Sequence, residues 1–206
     1  MMKYIHYLRY IIRHKWYVFI ECHRYGLAWL GIIHDWSKLR PSEFVPAANH
    51  FYGKESQGIN TGRDKTGYYK PMDTGDPKFD NACLLHEKRN KHHWQWWVLP
   101  EDEDGVRVLE IPYKYRIEMI CDWKGASRAQ GHGGMIIEWW AKHNYKMQMH
   151  PKTRAMIQSS VIDLEVVMND ILRILELKQV APITAADVKE LAVKLYGICE
   201  ALGEWE

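Results

Sequence analysis

An adjacent histidine and aspartate, His34 and Asp35, close the longest uncharged run of the chain, residues 25–33. An ionised carboxylate is costly to bury beside an apolar segment unless a cation or hydrogen-bond donors compensate it. Imidazole and carboxylate are also ligands that transition metals accept. A fold that buries this doublet must therefore bring compensating groups to it, and we predict that it binds a metal ion.

Further histidines and an aspartate lie in segments with helical apolar periodicity. Their order along the chain is what a one- or two-metal hydrolytic centre requires. The divalent ion could be Mn, Fe, Co, Ni or Zn, because ligand identity alone does not separate these metals. The predicted metal ligands are His14, His34, Asp35, His86, His92, His93 and Asp122.

Two of these assignments leave alternatives open. His14 lies between Ile11 and Val18 on an apolar helix face, and His23 competes with it as the upstream ligand. If residues 78–98 form one helix, His86 and His93 share a face, and His92 joins them only where the helix ends or bends.

Apolar spacing predicts an all-α fold, a helical bundle with additional C-terminal helices. We expect a single domain over residues 1–206, with the metal-site core at about 10–129 and C-terminal helices at about 151–203 that supply packing or an oligomer face. An acidic turn at 100–105 is expected between short extended pieces. Helices are predicted over residues 3–24, 27–39 (buried nearly all round), 41–52, 78–98, 112–129, 151–177 and 184–202.

The charge balance narrows the expected partners. Lys and Arg number 28 against 26 for Asp and Glu, which gives no general attraction to nucleic acid or to an anionic membrane. The four cysteines lack Cys-x-x-Cys spacing, which indicates buried free thiols in a reducing compartment. No secretory signal is evident, and residues 25–33 are too few to span a bilayer. A cytoplasmic protein without membrane contact is expected.

These residues, in this order, resemble the HD superfamily of metal-dependent phosphohydrolases, which are all-α. The resemblance implies an HD-domain-like helical bundle with additional C-terminal helices. The order is closest to the HD-GYP branch, in which an HD-x-x-Lys element precedes a single His, a His-His pair and a final Asp. The chain is also similar to uncharacterised bacterial and phage proteins that share His-Asp-x-Ser-Lys and Asn-x-His-His-Trp elements. The resemblance covers residues 10–129 and implies a metal held by His14, His34, Asp35 and Asp122, a second metal at His86 with His92 or His93, and Lys38 near the scissile phosphate.

The sequence also departs from that pattern. Trp94 follows the His-His pair and no Gly-Tyr-Pro element is present, so cyclic dinucleotide hydrolysis does not carry over. The Glu that many nucleotidase members place one turn after the doublet is absent too. Two alternatives stay open: an HD-type di-iron oxygenase, and a non-catalytic binding module that a metal stabilises.

The reaction class predicts a small phosphorylated substrate, a nucleotide above all. Asp35 and Lys38 are the candidate catalytic residues, because a carboxylate can hold the metal and an ammonium can offset phosphoryl charge. Aromatic rings can stack on a base, and cations near a helix N-terminus can meet phosphate. The candidate substrate-binding residues are Asn90, Trp94, Trp97, Lys124, Arg128, Lys152 and Arg154.

Overall fold

The computed structural model describes residues 2–53, 68–69, 73–103, 105–134 and 136–161. This part of the chain is all-α with one small hairpin, which confirms the predicted fold class. The helices are α1 Met2–Arg24, α2 Ala28–Ile33, α3 Pro41–Tyr52, α4 Pro77–Arg89, α5 Tyr113–Ala129, α6 Ile137–His143 and α7 Pro151–Val161, and short 3-10 helices cover Trp36–Leu39, Trp94–Trp97 and Asn144–Lys146.

Helix α1 is the central element, and α2, α3 and α5 pack against it. Its buried face repeats at helical spacing through Ile11, His14, Val18 and Cys22. Gly125 of α5 lies against Val18, where an added Cβ would come within 2.5 Å of the valine side chain. The missing side chain therefore lets α1 and α5 approach closely, and this contact places their polar residues next to each other.

The segment 27–39 differs from its prediction as a single buried helix. Helix α2 ends at Ile33, and Asp35 adopts left-handed backbone angles with φ of 54°. Trp29 is 68% exposed and Trp36 58% exposed, so the prediction of burial all round was wrong. Only Gly31 is buried in α2, because its backbone rests on Phe19 of α1 and the opposite side of this short helix faces solvent.

The predicted helix over residues 78–98 is also shorter than expected. Helix α4 ends at Arg89, and Asn90 is extended and followed by a turn. Strands β1 (Val98–Glu101) and β2 (Gly105–Val108) then pair antiparallel, with Val98 opposite Val108. The acidic turn between extended pieces is thus confirmed, whereas His92 and His93 lie in a turn after the helix.

The remaining helices close the larger core. Buried Ile117, Ile120, Trp140 and Ile157 pack together with the α1 side chains. Helix α7 begins at Pro151 as predicted, but residues 162–206, including the predicted helix at 184–202, lie outside the described residues. Among the described helices, none is long and apolar enough to cross a membrane.

Candidate metal centre

Helices α1, α4 and α5 and the two turns that follow α2 and α4 bring all seven predicted ligands together. Four of them, His14, His34, Asp35 and His92, are only 1–2% exposed. The ligand atoms form two groups in which every atom lies within 4.8 Å of the others. Each group contains the donor types and the spacing that can hold a metal ion.

The first group consists of His14, His34, Asp35 and Asp122. His14 Nε2 lies 3.1 Å from Asp122 Oδ1 and 3.5 Å from Asp35 Oδ2. His34 Nε2 lies 3.3 Å and 3.2 Å from the same two oxygens. Two imidazoles and two carboxylates therefore face one point between α1, α5 and the turn after α2.

The second group uses the other oxygen of the same aspartate. Asp35 Oδ1 lies 3.3 Å from His86 Nε2 and 3.4 Å from His92 Nε2. His93 Nε2 lies 2.9 Å from His86 Nε2. Asp35 thus presents Oδ2 to the first group and Oδ1 to the second, which is the arrangement of a carboxylate that bridges two metal positions.

The spacing and hydrogen bonding of these atoms fit metal ligation. An ion held at about 2.0–2.1 Å by each ligand keeps neighbouring ligand atoms about 2.8–3.0 Å apart in octahedral geometry and about 3.3–3.4 Å apart in tetrahedral geometry. The separations of 3.1–3.5 Å around Asp35 lie close to the tetrahedral spacing. Asp35 Oδ1 and the Nε2 atoms of His14, His34 and His92 are buried and make no well-aligned hydrogen bond among the described residues, whereas Asp35 Oδ2 is paired with Lys38. Buried polar atoms normally have a hydrogen-bond partner, so the missing partner here is consistent with a metal ion.

Carboxylates hold the outer nitrogens of three of these rings. Glu118 Oε1 lies 3.1 Å from His34 Nδ1 and 3.4 Å from His92 Nδ1, and Glu43 Oε2 lies 3.0 Å from His86 Nδ1. Histidines that bind metals usually donate their second ring N–H to such a partner, which fixes the tautomer and the ring orientation. Each ring therefore has Nδ1 occupied and Nε2 directed inward.

Glu43 is itself fixed by donors from the turns after α2 and α4. Ser37 Oγ donates to its Oε2 at 2.8 Å and Arg89 Nη1 to its Oε1 at 2.5 Å. Asn90 donates to Ser37 Oγ at 2.7 Å and to the backbone oxygen of His86 at 2.8 Å. Asn90 was predicted to contact substrate, and the structure places it in this supporting network behind His86.

The pKa values of one histidine from each group, His34 and His93, shift in opposite directions. Burial by itself would lower the pKa of His34, but the Asp35 carboxylate outweighs it and raises the pKa well above its usual range. Burial would raise the pKa of Asp35, but His34 and Lys38 hold it well below. Burial and the adjacent His92 lower the pKa of His93 well below its ordinary value. The aspartate is thus ionised and His93 neutral at neutral pH, as ligation requires, whereas His34 is protonated and would release its proton when a metal binds.

Lys38 supplies a cation directly to the centre. Its Nζ lies 2.5 Å from Asp35 Oδ2, and its side chain is 21% exposed. Burial by itself would lower the pKa of Lys38, but Asp35 raises it above the ordinary value, so the ammonium stays charged. The lysine therefore lies between the ligands and solvent.

The local sequence explains how these groups are presented. Glu118 and Asp122 are four residues apart on α5 and so share a face. Asp35 in its left-handed conformation turns the chain directly after His34. Lys15 of α1 donates to the backbone oxygens of His34 and Ile32, which anchors the end of α2 to α1. Backbone contacts therefore fix the doublet between the two long helices.

The structure separates the alternatives for the upstream ligand. His14 is 1% exposed and contacts both aspartates, whereas His23 is exposed and stacks on Phe19. His92 and His93 both join the second group, because α4 ends before them and the turn directs both rings toward His86.

The other predicted substrate residues have structural contacts away from the two groups. Trp94 and Trp97 are half-buried against the larger core, and Trp97 Nε1 donates to the backbone oxygen of Lys91. Arg128 pairs with Glu21 at 3.0 Å, and Lys152 lies 3.6 Å from Glu110. Arg154 donates to Asn144 and Met147, and Lys124 lies over the Tyr25 ring. None of these contacts brings the side chains together with the ligands.

Sequence reasoning missed Glu43 and Glu118. Glu118 is 5% exposed between buried Ile117 and Met119, one turn before Asp122. An acidic residue four positions before a predicted ligand on the same helix could have indicated it. Glu43 lies in the first turn of α3, where an acidic residue also stabilises the helix terminus, so its sequence position alone does not indicate a role in the centre.

Fold and site together define an all-α protein with a buried histidine–carboxylate centre. The model of a family of unknown function (DUF5662) matches residues 3–163, and the chain belongs to this family. The match includes every ligand of both groups. No curated protein and no solved structure matches the chain.

Proposed function

We propose that this protein is a metal-dependent phosphohydrolase that acts on a nucleotide or another small phosphoester. One observation carries the proposal: Asp35 directs each of its two oxygens to a separate set of imidazole Nε2 atoms, and carboxylates hold the outer nitrogens of three of the rings. Enzymes with two metal positions about 3.5–4 Å apart commonly catalyse displacement at phosphorus.

When bound, metals at these positions would activate water and offset charge on the phosphoryl oxygens. The chain itself fixes the geometry. Asp35 holds both positions at a fixed separation, and Glu118 and Glu43 keep the imidazole rings from rotating. This preorganisation removes reorganisation cost from the reaction step.

Lys38 has the chemistry to bind the transferred phosphoryl group. Its ammonium is charged, partly exposed and next to the ligand atoms. It cannot ligate a metal while it is protonated. We assign Lys38 the role of stabilising the negative charge that develops on the phosphoryl oxygens in the transition state.

A cavity of about 780 Å³ beside Ser37 and Asn90 supports a substrate with a planar ring and negative charge. Trp36 and Trp96 line it together with Arg40. Indole faces stack on bases, and a guanidinium recognises phosphate. None of the seven ligands lines the cavity, but Ser37 and Asn90 do and contact His86 Nδ1, so we assign it to the non-reacting part of an extended substrate.

The proposal is tested with protein purified without chelators and supplied with Mn, Co or Fe. Phosphate or monophosphate release is measured over a panel of nucleotides and phosphoesters. We compare His14→Ala with His23→Ala, because both histidines are on α1 but only His14 faces the centre. We expect the first variant to lose release and the second to keep it.

Two outcomes would overturn this function. Oxygen consumption with an organic substrate, without phosphate release from any panel member, would indicate the di-iron oxygenase. Tight metal binding with neither reaction, together with loss of folding on metal removal, would indicate a metal-stabilised binding module.

A further inference from the structure

Glu118 differs from the other outer carboxylate because it contacts both ligand groups. A single oxygen, Oε1, lies 3.1 Å from His34 Nδ1 and 3.4 Å from His92 Nδ1. His34 belongs to the first group and His92 to the second. In contrast, the one ligand ring that Glu43 contacts among the described residues is that of His86, which belongs to the second group.

The surroundings of Glu118 leave it little freedom. Glu118 is 5% exposed, and its backbone lies in α5 one turn before Asp122. Its Oε1 faces the Nδ1 atoms of both rings, and the carboxylate is therefore placed as the common acceptor for two ring N–H groups.

We propose that Glu118 is a positioning residue that couples the two metal positions, so that occupancy of the first group orients His92 for the second. This inference rests on the proposed function, because it requires metal at both positions. Ligation at His34 Nε2 fixes the Nδ1–H tautomer, and that N–H fixes the acceptor oxygen. The same oxygen then holds the His92 ring with its Nε2 toward Asp35 Oδ1.

Coupling of this kind is a free energy between two sites and is measured by a thermodynamic cycle. The dissociation constant of Mn²⁺ at the second group is measured with the first group intact and again in His14→Ala, which loses a ligand of the first group only. Electron paramagnetic resonance distinguishes a metal pair from an isolated ion in each titration. The ratio of the two constants is the coupling.

The substitutions Glu118→Ala, Glu118→Gln and Glu43→Ala are each made both in the wild-type chain and in the His14→Ala variant. With Glu118 and Glu43 unchanged, we expect the second position to bind Mn²⁺ about tenfold more tightly in the chain with His14 than in His14→Ala, within the range usual for coupled sites. Glu118→Ala should lower the ratio to the part that the shared Asp35 carries, and Glu118→Gln, which keeps an acceptor oxygen, should restore part of the loss. Glu43→Ala should weaken the second position about 10- to 100-fold in both backgrounds and leave the ratio unchanged.

Circular dichroism and thermal unfolding of the metal-free variants show whether each one folds. If Glu118→Ala does not fold, the ratio measured in Glu118→Gln still tests the coupling. A ratio that Glu118→Ala leaves at its wild-type value would overturn the coupling while metal binding stands. Absence of Mn²⁺ binding in the wild-type chain would instead overturn the proposed function. A ratio that falls equally in Glu43→Ala would show general loosening of the second group and would also contradict a specific role for Glu118.

Discussion

Two buried histidines of this protein have opposite environments. His34 faces carboxylates at 3.1–3.3 Å on both sides of its ring, and these raise its pKa against the effect of burial. His50 stacks on Phe79 with ring centroids 3.6 Å apart and has Asp76 at 3.6 Å, and burial lowers its pKa. Burial of a histidine therefore does not indicate a ligand by itself; convergence of carboxylates on its nitrogens does.

The two regions also differ in how the fold builds them. The His50 region is an aromatic cluster between α3 and α4, in which Phe51 meets the faces of His50 and Phe79 edge-on. The candidate metal centre instead joins helices α1, α4 and α5 and the turns after α2 and α4. We expect changes in the first region to affect stability and changes in the second to affect metal content.

The largest expected effect is on metal content. Asp35→Ala removes the oxygen atoms shared by both ligand groups, so we expect the chain to lose both ions after dialysis. His50→Gln should retain them, because no ligand atom contacts that ring among the described residues. Elemental analysis of the two variants checks this contrast. Wild-type metal content in Asp35→Ala would show that the groups do not share a ligand.

The next effect is on rate. Lys38→Ala should lower turnover about 10²- to 10³-fold, the loss typical of removing one group that stabilises transition-state charge, and should leave metal content unchanged. Steady-state kinetics on the best phosphoester of the panel measures the change. His23→Ala serves as the control. If Lys38→Ala turns over at the wild-type rate, its ammonium has no part in the reaction.

A smaller effect is expected on stability. Free metal at about 1,000 times its dissociation constant adds about 4 kcal/mol to the free energy of unfolding. Chelation should therefore lower the thermal midpoint of the wild-type chain by about 2–4 °C for each kcal/mol lost. The midpoint of Asp35→Ala should not respond to the chelator. A wild-type midpoint that is also unchanged would argue against metal bound in the folded state.

The smallest effect concerns acid sensitivity. Because burial lowers the pKa of His50 in the folded protein, its contribution to stability is present above its unfolded pKa near 6.5 and is lost as pH falls through the folded value. Metal-free His50→Gln should therefore lose less stability than the metal-free wild type between pH 7 and pH 5. Urea unfolding at both pH values checks this. Equal losses would mean that His50 does not titrate differently on folding.

The sequence predicted helices where local pattern decides them. Helix α1 follows from its apolar repeat, and Pro41 and Pro151 mark the first turns of α3 and α7. The His34-Asp35 doublet was recognisable because a carboxylate next to an apolar run needs a partner. The sequence favoured His14 over His23, because Ile11 and Val18 put it on the apolar face of α1. The structure places His14 against Asp35 and Asp122.

The end of α4 could not be read from local residues. Asn90 leaves the helix while its side chain bonds Ser37, which is 53 residues away in sequence. That contact is tertiary, and no pattern around residue 90 reports it. The predicted helix face shared by His86 and His93 was wrong for this reason, although the turn still brings His93 into the same group as His86 of α4. The roles of Glu43 and Glu118 likewise depend on contacts 43 and 84 residues apart.

X-ray absorption spectroscopy of the protein with the metal that it carries after chelator-free purification tests the central claim most directly. We predict nitrogen and oxygen ligands at about 2.0–2.2 Å and metal–metal scattering at about 3.5–4 Å, from imidazole rings and carboxylates around Asp35. Folded protein without metal, or a spectrum dominated by sulfur ligands at about 2.3 Å, would contradict the assignment of these residues as a metal centre.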